Sequence, residues 1–169
     1  MSTYLQLCQK LRQECEVGGT GPSAVTGQTG ELARLVTWIA DAYTELQQEY
    51  DWLWLRSEFS VNTVADDDNY SGTDCTDTIA SAAVTRFSKW ITADEMVCTN
   101  VKAYLQSSGV AAEFWLYPLP WSDFRYLYKT GTQTSGQPSY FTIDPRNNLR
   151  LAPAPSAVYV VTGEYQKSP

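Results

Sequence analysis

The sequence predicts an α+β protein in which an N-terminal helical hairpin with one long helix packs on an antiparallel, sandwich-like β portion containing a short helix. Apolar residues recur at steps of three and four before residue 55, whereas short alternating runs separated by turn residues follow it. The 169 residues, 43% of them hydrophobic, are enough for a well-buried core. We therefore expect a helical part over 1–55 and a β-rich part over 56–169, together forming one structural unit.

Two helices are predicted in the N-terminal part. The first covers about residues 3–16, and a connector rich in Gly, Ser, Thr and Pro follows it. The second covers 29–55, with Thr29 as its N-cap and Glu31 in the first turn, where the helix dipole favours an acid. We expect its apolar stripe to be buried, and the stripe consists of Leu32, Leu35, Val36, Ile39, Tyr43, Leu46, Tyr50 and Leu53.

Several aromatic residues remain after the apolar stripe is assigned. Trp38, Trp52 and Trp54 fall partly off the stripe, and a helix that is apolar on more than one side lies in a core or contacts another subunit. Large aromatic side chains also dominate protein interfaces. The candidate subunit or partner interface therefore consists of Trp38, Tyr43, Trp52, Trp54, Trp121 and Tyr126.

The β-rich part begins where the helical period ends. A strand is predicted from Phe59 to Val64, and an acidic loop with turn residues follows it. Pro120 permits a short helix over about 121–129, and Asn147-Asn148 can adopt the positive φ of a tight hairpin turn. The other predicted strands lie within 79–85, 86–92, 97–106, 113–119, 139–143, 149–152 and 157–165.

The charge of the chain limits its partners. With 12 basic and 19 acidic side chains the net charge is −7, which argues against gripping nucleic acid or an anionic membrane through phosphate neutralisation. A wall past which DNA slides remains compatible with this charge. The N-terminus has a helical rather than a signal-peptide pattern, and no apolar run approaches the roughly 20 residues needed to span a bilayer. We expect synthesis in the cytoplasm and no membrane partner.

The absence of histidine excludes most familiar catalytic arrangements. Without histidine there is no Ser/His or Cys/His nucleophile and no imidazole metal ligand. We therefore predict no catalytic residue, no cofactor-binding residue, no metal site and no cofactor. Glu45, Glu49 and Asp51 could supply paired acids for glycoside cleavage, but on a helix Glu45 and Glu49 form an ordinary outward face.

Four acids of the loop fit part of a calcium-binding pattern. Asp66, Asp68, Asp74 and Asp77 align with positions one, three, nine and twelve of a calcium loop, but Ser71 replaces the glycine at position six. The flanking helices of that motif are also missing. A solvated acidic loop is the favoured interpretation.

Two segments resemble the head-to-tail adaptor, or connector, proteins of tailed bacteriophages. GQTGELARLVTWIADAYTELQQEYDWLWL looks like that family's helix with an Ala-Tyr pair and an acidic-aromatic Asp-Trp end. GQPSYFTIDPRNNLRLAPAPSAVYVVTGEY looks like its Gly-x-Pro, hairpin, Pro-x-Pro and final Tyr-containing strand. Together they cover about a third of the chain, in the same order.

The resemblance implies a structural virion protein of the neck, without catalytic activity. It implies a homo-oligomeric ring, commonly of twelve copies, docked on the portal protein and offering a platform to the next neck or tail component, with DNA passing through the lumen without specific binding. Such proteins usually continue into C-terminal helices that help to engage the portal, so no portal-binding residue is carried over to this chain.

A second hypothesis is a monomeric virion module that binds carbohydrate or a receptor. It would use the aromatic residues Trp115, Tyr117 and Trp121. An acid-dependent hydrolase is a third hypothesis. Assembly with a portal or tail fraction separates the ring from the monomeric module.

Overall fold

The structure is a computed structural model that describes residues 3–15, 19, 21–93 and 99–169. The chain divides into two compact units, Met1–Asp51 with Pro169, and Trp52–Ser168. Helices and antiparallel sheets occur in the same chain, so the predicted α+β class is confirmed. That the two parts form one structural unit, with the long helix packed on the β portion, stays a prediction.

The first unit contains helices α1 (Tyr4–Glu14) and α2 (Gly30–Glu49). Thr3 caps α1 through a capping box, because its hydroxyl accepts a hydrogen bond from the Gln6 NH while the Gln6 side chain accepts one from the Thr3 NH. α1 ends near the predicted position, although Glu16 lies outside the described residues. Thr29 is the N-cap residue of α2, as predicted, but its side chain makes no capping hydrogen bond.

α2 is shorter than predicted. It ends at Glu49, and the next residue, Tyr50, has an extended backbone with φ −134° and ψ 156°. Leu53–Leu55 forms a separate 3₁₀ turn that leads into the first strand. This segment is held by the second unit: the Leu55 carbonyl accepts a hydrogen bond from the Lys167 NH at 2.8 Å. Contacts with residues more than a hundred positions away therefore end the helix.

The second unit contains helix α3 (Trp121–Tyr128) and two sheets. In the described part of the chain, the strands are β1 (Arg56–Asn62), β2 (Asn69–Tyr70), β3 (Thr76–Asp77), β4 (Ala82–Ala83), β5 (Lys89–Ile91), β6 (Lys102–Leu105), β7 (Phe114–Trp115), β8 (Tyr117–Pro118), β9 (Tyr140–Ile143), β10 (Leu149–Ala152) and β11 (Tyr159–Gln166). One sheet has the strand order β4-β3-β1-β11-β6-β7 with β5 also paired to β11, and the other has the order β2-β10-β9-β8. All these pairs are antiparallel except β8 with β9.

β11 lies at the centre of the larger sheet. It pairs along its length with β1, while its other edge pairs with β6 and then with β5. The core draws side chains from both sheets, including Phe59 and Val161 of one and Phe141 and Leu149 of the other. The two sheets thus share one hydrophobic core.

Several strand predictions need correction: β2 and β3 lie in the segment predicted as an acidic loop, and β1 begins three residues before Phe59. The predicted strand 113–119 is divided, because β7 pairs with β6 in the larger sheet whereas β8 pairs with β9 in the smaller one. Leu116, between β7 and β8, is fully buried. The predicted strand 97–106 is observed as Lys102–Leu105, and Val97 and Cys98 lie outside the described residues.

Candidate assembly surfaces

The apolar stripe of α2 is only partly buried, which corrects the sequence expectation. Its first half packs on α1: Leu35 is buried, and the Tyr4 hydroxyl donates a hydrogen bond to the Val36 carbonyl at 2.5 Å. In contrast, Tyr43, Leu46 and Tyr50 are 56%, 50% and 60% exposed.

The unequal lengths of α1 and α2 explain this difference. α1 has 11 residues and α2 has 20, so α1 is roughly 16 Å long whereas α2 is about 30 Å long. Burial raises the pKa of the Tyr4 hydroxyl, and nearby Cys8 and Asp41 raise it further. Asp41 therefore lies near the start of α1, and the last two turns of α2 extend beyond α1. A comparison of the two predicted lengths could have revealed this surface.

An acidic-aromatic face adjoins the apolar stripe of α2 and shares Leu46 with it. We use this name for the exposed residues Trp38, Ala42, Glu45, Leu46 and Glu49, which recur at steps of three, four and one along the helix. Glu45 and Glu49 point outward, as predicted, and lie one turn apart. No lysine or arginine occurs between Arg34 and Arg56, so this part of the helix is acidic.

Trp52 and Trp54 lie after the helix, not on it. Trp52 is partly buried, and its carbonyl accepts a hydrogen bond from Gln166 Nε2 at 3.4 Å. Trp54 is exposed, as is its neighbour Leu53. Leu53 and Ile79 line a shallow surface groove beside β1, so this end of the second unit also presents apolar side chains.

Helix α3 presents an aromatic side chain beside bases. Trp121 and Phe124 stack with their ring centroids 5.6 Å apart, and Phe124 is fully buried, so this side of α3 faces the core. The opposite side carries Ser122, Arg125, Tyr126 and Lys129, which we call the basic-aromatic face; it includes the C-cap residue Lys129. Tyr126 is 77% exposed. Trp121, although a candidate interface residue, is only partly exposed.

The three aromatics of the carbohydrate hypothesis do not form one platform. Trp115 and Tyr117 belong to different sheets, and Trp121 stacks on Phe124. The Lys102 ammonium lies 4.5 Å from the centre of the Trp115 ring and 3.0 Å from Glu113. One face of the Trp115 ring is therefore already occupied.

A groove of about 440 Å³ nevertheless lies beside Trp115. It crosses the face of the larger sheet where Glu58 of β1 stands opposite Glu164 of β11. Asn100 lines the same groove, but both polar atoms of its side chain are buried and have no hydrogen-bond partner among the described residues. Acids and an aromatic ring thus meet in one concave surface.

The four loop aspartates do not converge on one point. Asp66 accepts a hydrogen bond from the Ser135 hydroxyl, and Asp74 caps the 3₁₀ turn Gly72–Asp74. The Asp68 carboxylate forms ion pairs with Lys129 at 2.6 Å and with Arg150 at 3.1 Å. Within the described ranges, no cluster of three or more His, Cys, Asp or Glu side chains could hold a metal ion. The favoured solvated loop is also wrong in part, because these carboxylates have protein partners.

Asp77 differs most from a solvated acid, because it lies in β3 and is buried beside β1 and β11. Its carboxylate accepts hydrogen bonds from Ser57 Oγ at 2.9 Å and Tyr165 OH at 2.8 Å, and it pairs with Lys167 Nζ at 2.9 Å. The NH groups of Ile79 and Ala80 donate to it as well.

The surroundings of Asp77 shift two pKa values. Burial alone would raise the pKa of Asp77, but the Ala80 NH, Lys167, Tyr165 and Ser57 stabilise the carboxylate and hold that pKa well below its usual range. Burial, together with the adjacent Asp77, raises the pKa of Tyr165 to about 12. The site is a structural connection between strands, and Tyr165 is the tyrosine of the predicted final strand.

Comparison with known proteins identifies the family. Over residues 2–169 the chain matches the family described as SU10 adaptor protein. No curated protein matches it. No helix among the described residues is long and apolar enough to cross a membrane. The adaptor family is structural, and its proteins are associated with the bacteriophage virion. Because the match covers nearly the whole chain, the protein belongs to the SU10 adaptor protein family, as its resemblance to phage head-to-tail adaptors predicts.

Proposed function

We propose that the protein assembles into a homo-oligomeric ring, of twelve copies, that joins the portal protein to the next neck or tail component. The observation that carries this proposal is the pair of exposed aromatic faces on α2 and α3, in two different units of an adaptor-family chain. A ring with heterologous contacts needs two different faces on each copy. Exposed aromatic residues supply much of the binding energy in such contacts.

The charge of the chain supports a passive channel. A net charge of −7 per copy repels DNA phosphates, so DNA crosses the lumen of the ring without specific binding. A basic lumen would instead retain the genome. Within this proposal the partners are other copies of the chain, the portal protein and the next neck or tail component, and the location is the neck of the virion.

Light scattering and native mass spectrometry test the proposal. The purified protein is measured alone over a range of concentrations and then with purified portal protein. We expect a ring-sized oligomer, or a ring that forms on the portal, and no retention on DNA at physiological salt. A protein that stays monomeric under both conditions would contradict the proposal.

The groove beside Trp115 favours one other function, binding of a carbohydrate. Stacking on an aromatic ring combined with hydrogen bonds to carboxylates suits a sugar. Titration of the monomer with a panel of glycans tests this function, and Trp115→Ala should abolish any binding. A protein that binds glycans and ignores the portal would replace the ring proposal.

A further inference from the structure

The acidic-aromatic face of α2 carries charges that no described residue neutralises. Neither Glu45 nor Glu49 has an ion-pair partner within the described residues. The two carboxylates lie one turn apart, where like charges repel, and near the C-terminal end of the helix, where the dipole disfavours acids. A cation placed against this face would relieve both effects.

The basic-aromatic face of α3 offers such cations. Arg125 is exposed, and no described carboxylate lies within ion-pair distance of it. Lys129 lies four residues on, so the two bases have the same one-turn spacing as Glu45 and Glu49. The Lys129 ammonium also pairs with Asp68 at 2.6 Å and lies 5.8 Å from the centre of the Phe124 ring, although 39% of the side chain stays exposed, so Arg125 is the more available of the two bases.

We propose that the acidic-aromatic face of α2 in one copy docks on the basic-aromatic face of α3 in the next copy of the chain. This inference rests on the proposed ring and names the two faces that meet in it. Trp38 and Leu46 would pack around Tyr126, while the acids oppose Arg125 and Lys129.

The pairing is of the heterologous kind that a closed ring requires. Each copy uses its α2 face once and its α3 face once, so the contact is heterologous and repeats around the ring. Helices pack at 8–10 Å between their axes, which brings side chains of opposite charge on facing rows into contact. Because the matched charges lie on different helices, like copies attract in one orientation and repel when two α2 faces meet.

Cysteine crosslinking tests the pairing directly. Ala42 and Ser122 are small exposed residues on the two faces, so Ala42→Cys and Ser122→Cys change each face little. Both are introduced into a chain with Cys15→Ser and Cys98→Ser, which keeps Cys8 and Cys75, both buried. After treatment of the assembled protein with a short bis-maleimide, we expect a ladder of covalent multimers on a denaturing gel.

Control variants show whether the ladder depends on this pair of positions. Each single-cysteine variant, and a matched pair that combines Ala42→Cys with Val110→Cys at an exposed 3₁₀ turn, should give no ladder. Assembled protein without a ladder from the Ala42 and Ser122 pair overturns the inference, while the ring proposal stands. A crosslink within one chain also overturns it. A monomeric starting protein, alone and with portal, overturns the proposed function and this inference together.

Charge reversal provides an independent measurement. Arg125→Glu should weaken self-association by about tenfold or more, because it places like charges on opposing faces. Arg146→Glu, the same change at an exposed base of the β9–β10 turn, should leave association unchanged. Adding Glu45→Arg or Glu49→Arg to Arg125→Glu should restore association in at least one combination. The pairing is overturned if Arg125→Glu assembles normally, or if neither double variant recovers self-association. If Arg125→Glu assembles normally but no longer binds the portal protein, the α3 face contacts the portal instead.

Discussion

Asp77 shows how single residues determine the stability of the second unit. A buried carboxylate is unfavourable unless it is paired and hydrogen-bonded. The Asp77 carboxylate is satisfied by Ser57 of β1, by Tyr165 of β11 and by Lys167, which follows β11. Removing the charge therefore weakens several strand connections at once.

Replacing Asp77 with Asn should lower the free energy of unfolding by about 2–4 kcal/mol, because Lys167 and the donor hydroxyls lose a charged acceptor. The folded-state pKa of Asp77 lies below its ordinary value of 3.8, so its contribution is complete above about pH 4 and is lost as the pH falls through the folded-state pKa. We expect stability to fall less steeply below pH 4 in Asp77→Asn than in the unmodified protein, measured by guanidinium unfolding at each pH.

The exposed Asp123 provides the matched control for this experiment. Asp123→Asn should change the unfolding free energy by no more than about 0.5 kcal/mol. Equal stabilities of Asp77→Asn and the unmodified protein at neutral pH would show that the Asp77 interactions are not net stabilising.

At the scale of elements, the β9–β10 hairpin was the most predictable feature. Its turn depends on neighbouring residues: Asp144 accepts hydrogen bonds from the NH groups of Arg146 and Asn148, and Asn147 has a φ of 62°. The turn also contacts β5, because Trp90 Nε1 donates to the Asn147 carbonyl at 3.0 Å. A local turn signal and a long-range contact thus coincide at one residue.

Asn147→Ala should destabilise the protein by about 1–2 kcal/mol, because alanine disfavours positive φ and cannot replace the bond from Asn147 Nδ2 to the Ser88 carbonyl. Asn147→Gly removes only the hydrogen bond and should cost less. Urea unfolding followed by tryptophan fluorescence measures both, and equal costs would show that the backbone conformation contributes nothing.

Elements that depend on distant contacts were predicted less well. The end of α2 was misplaced because residues 50–55 continue the helical spacing, without a proline or glycine to stop it. Contacts of Trp52 and Leu55 with Gln166 and Lys167 override that local pattern. The division of 113–119 between two sheets likewise depends on pairing with β6 and β9, which the segment itself does not encode.

At the scale of the whole molecule, the sequence predicts a set of aromatic candidates for contact surfaces but not which of them are exposed. Trp38 and Tyr126 are exposed, whereas Trp52 and Trp121 are partly buried by contacts within the second unit. Exposure depends on how far α1 covers α2 and on which side of α3 faces the core. Both are properties of packing rather than of spacing along the chain.

Trp38→Ala should impair ring assembly far more than folding. Trp38 is 56% exposed, so its removal leaves little cavity but deletes a large contact surface. We expect an unfolding free energy within about 1 kcal/mol of the unmodified protein and a shift from ring to smaller species in light scattering.

Val110→Ala, a change at an exposed apolar residue of the second unit, serves as the control for Trp38→Ala and should affect neither property. If Trp38→Ala loses fold and assembly to the same extent, Trp38 belongs to the folded core.

The central position of β11 has a consequence for synthesis on the ribosome. β1 leaves the ribosome about a hundred residues before its neighbour β11. β5 and β6 also emerge before β11, which is the strand that they pair with. Until Gln166 has emerged, β1 and β6 lack the strand between them, and Asp77 lacks Tyr165. A nascent chain interrupted before this point cannot complete the larger sheet, so the second unit of an incompletely translated copy lacks the central strand of that sheet.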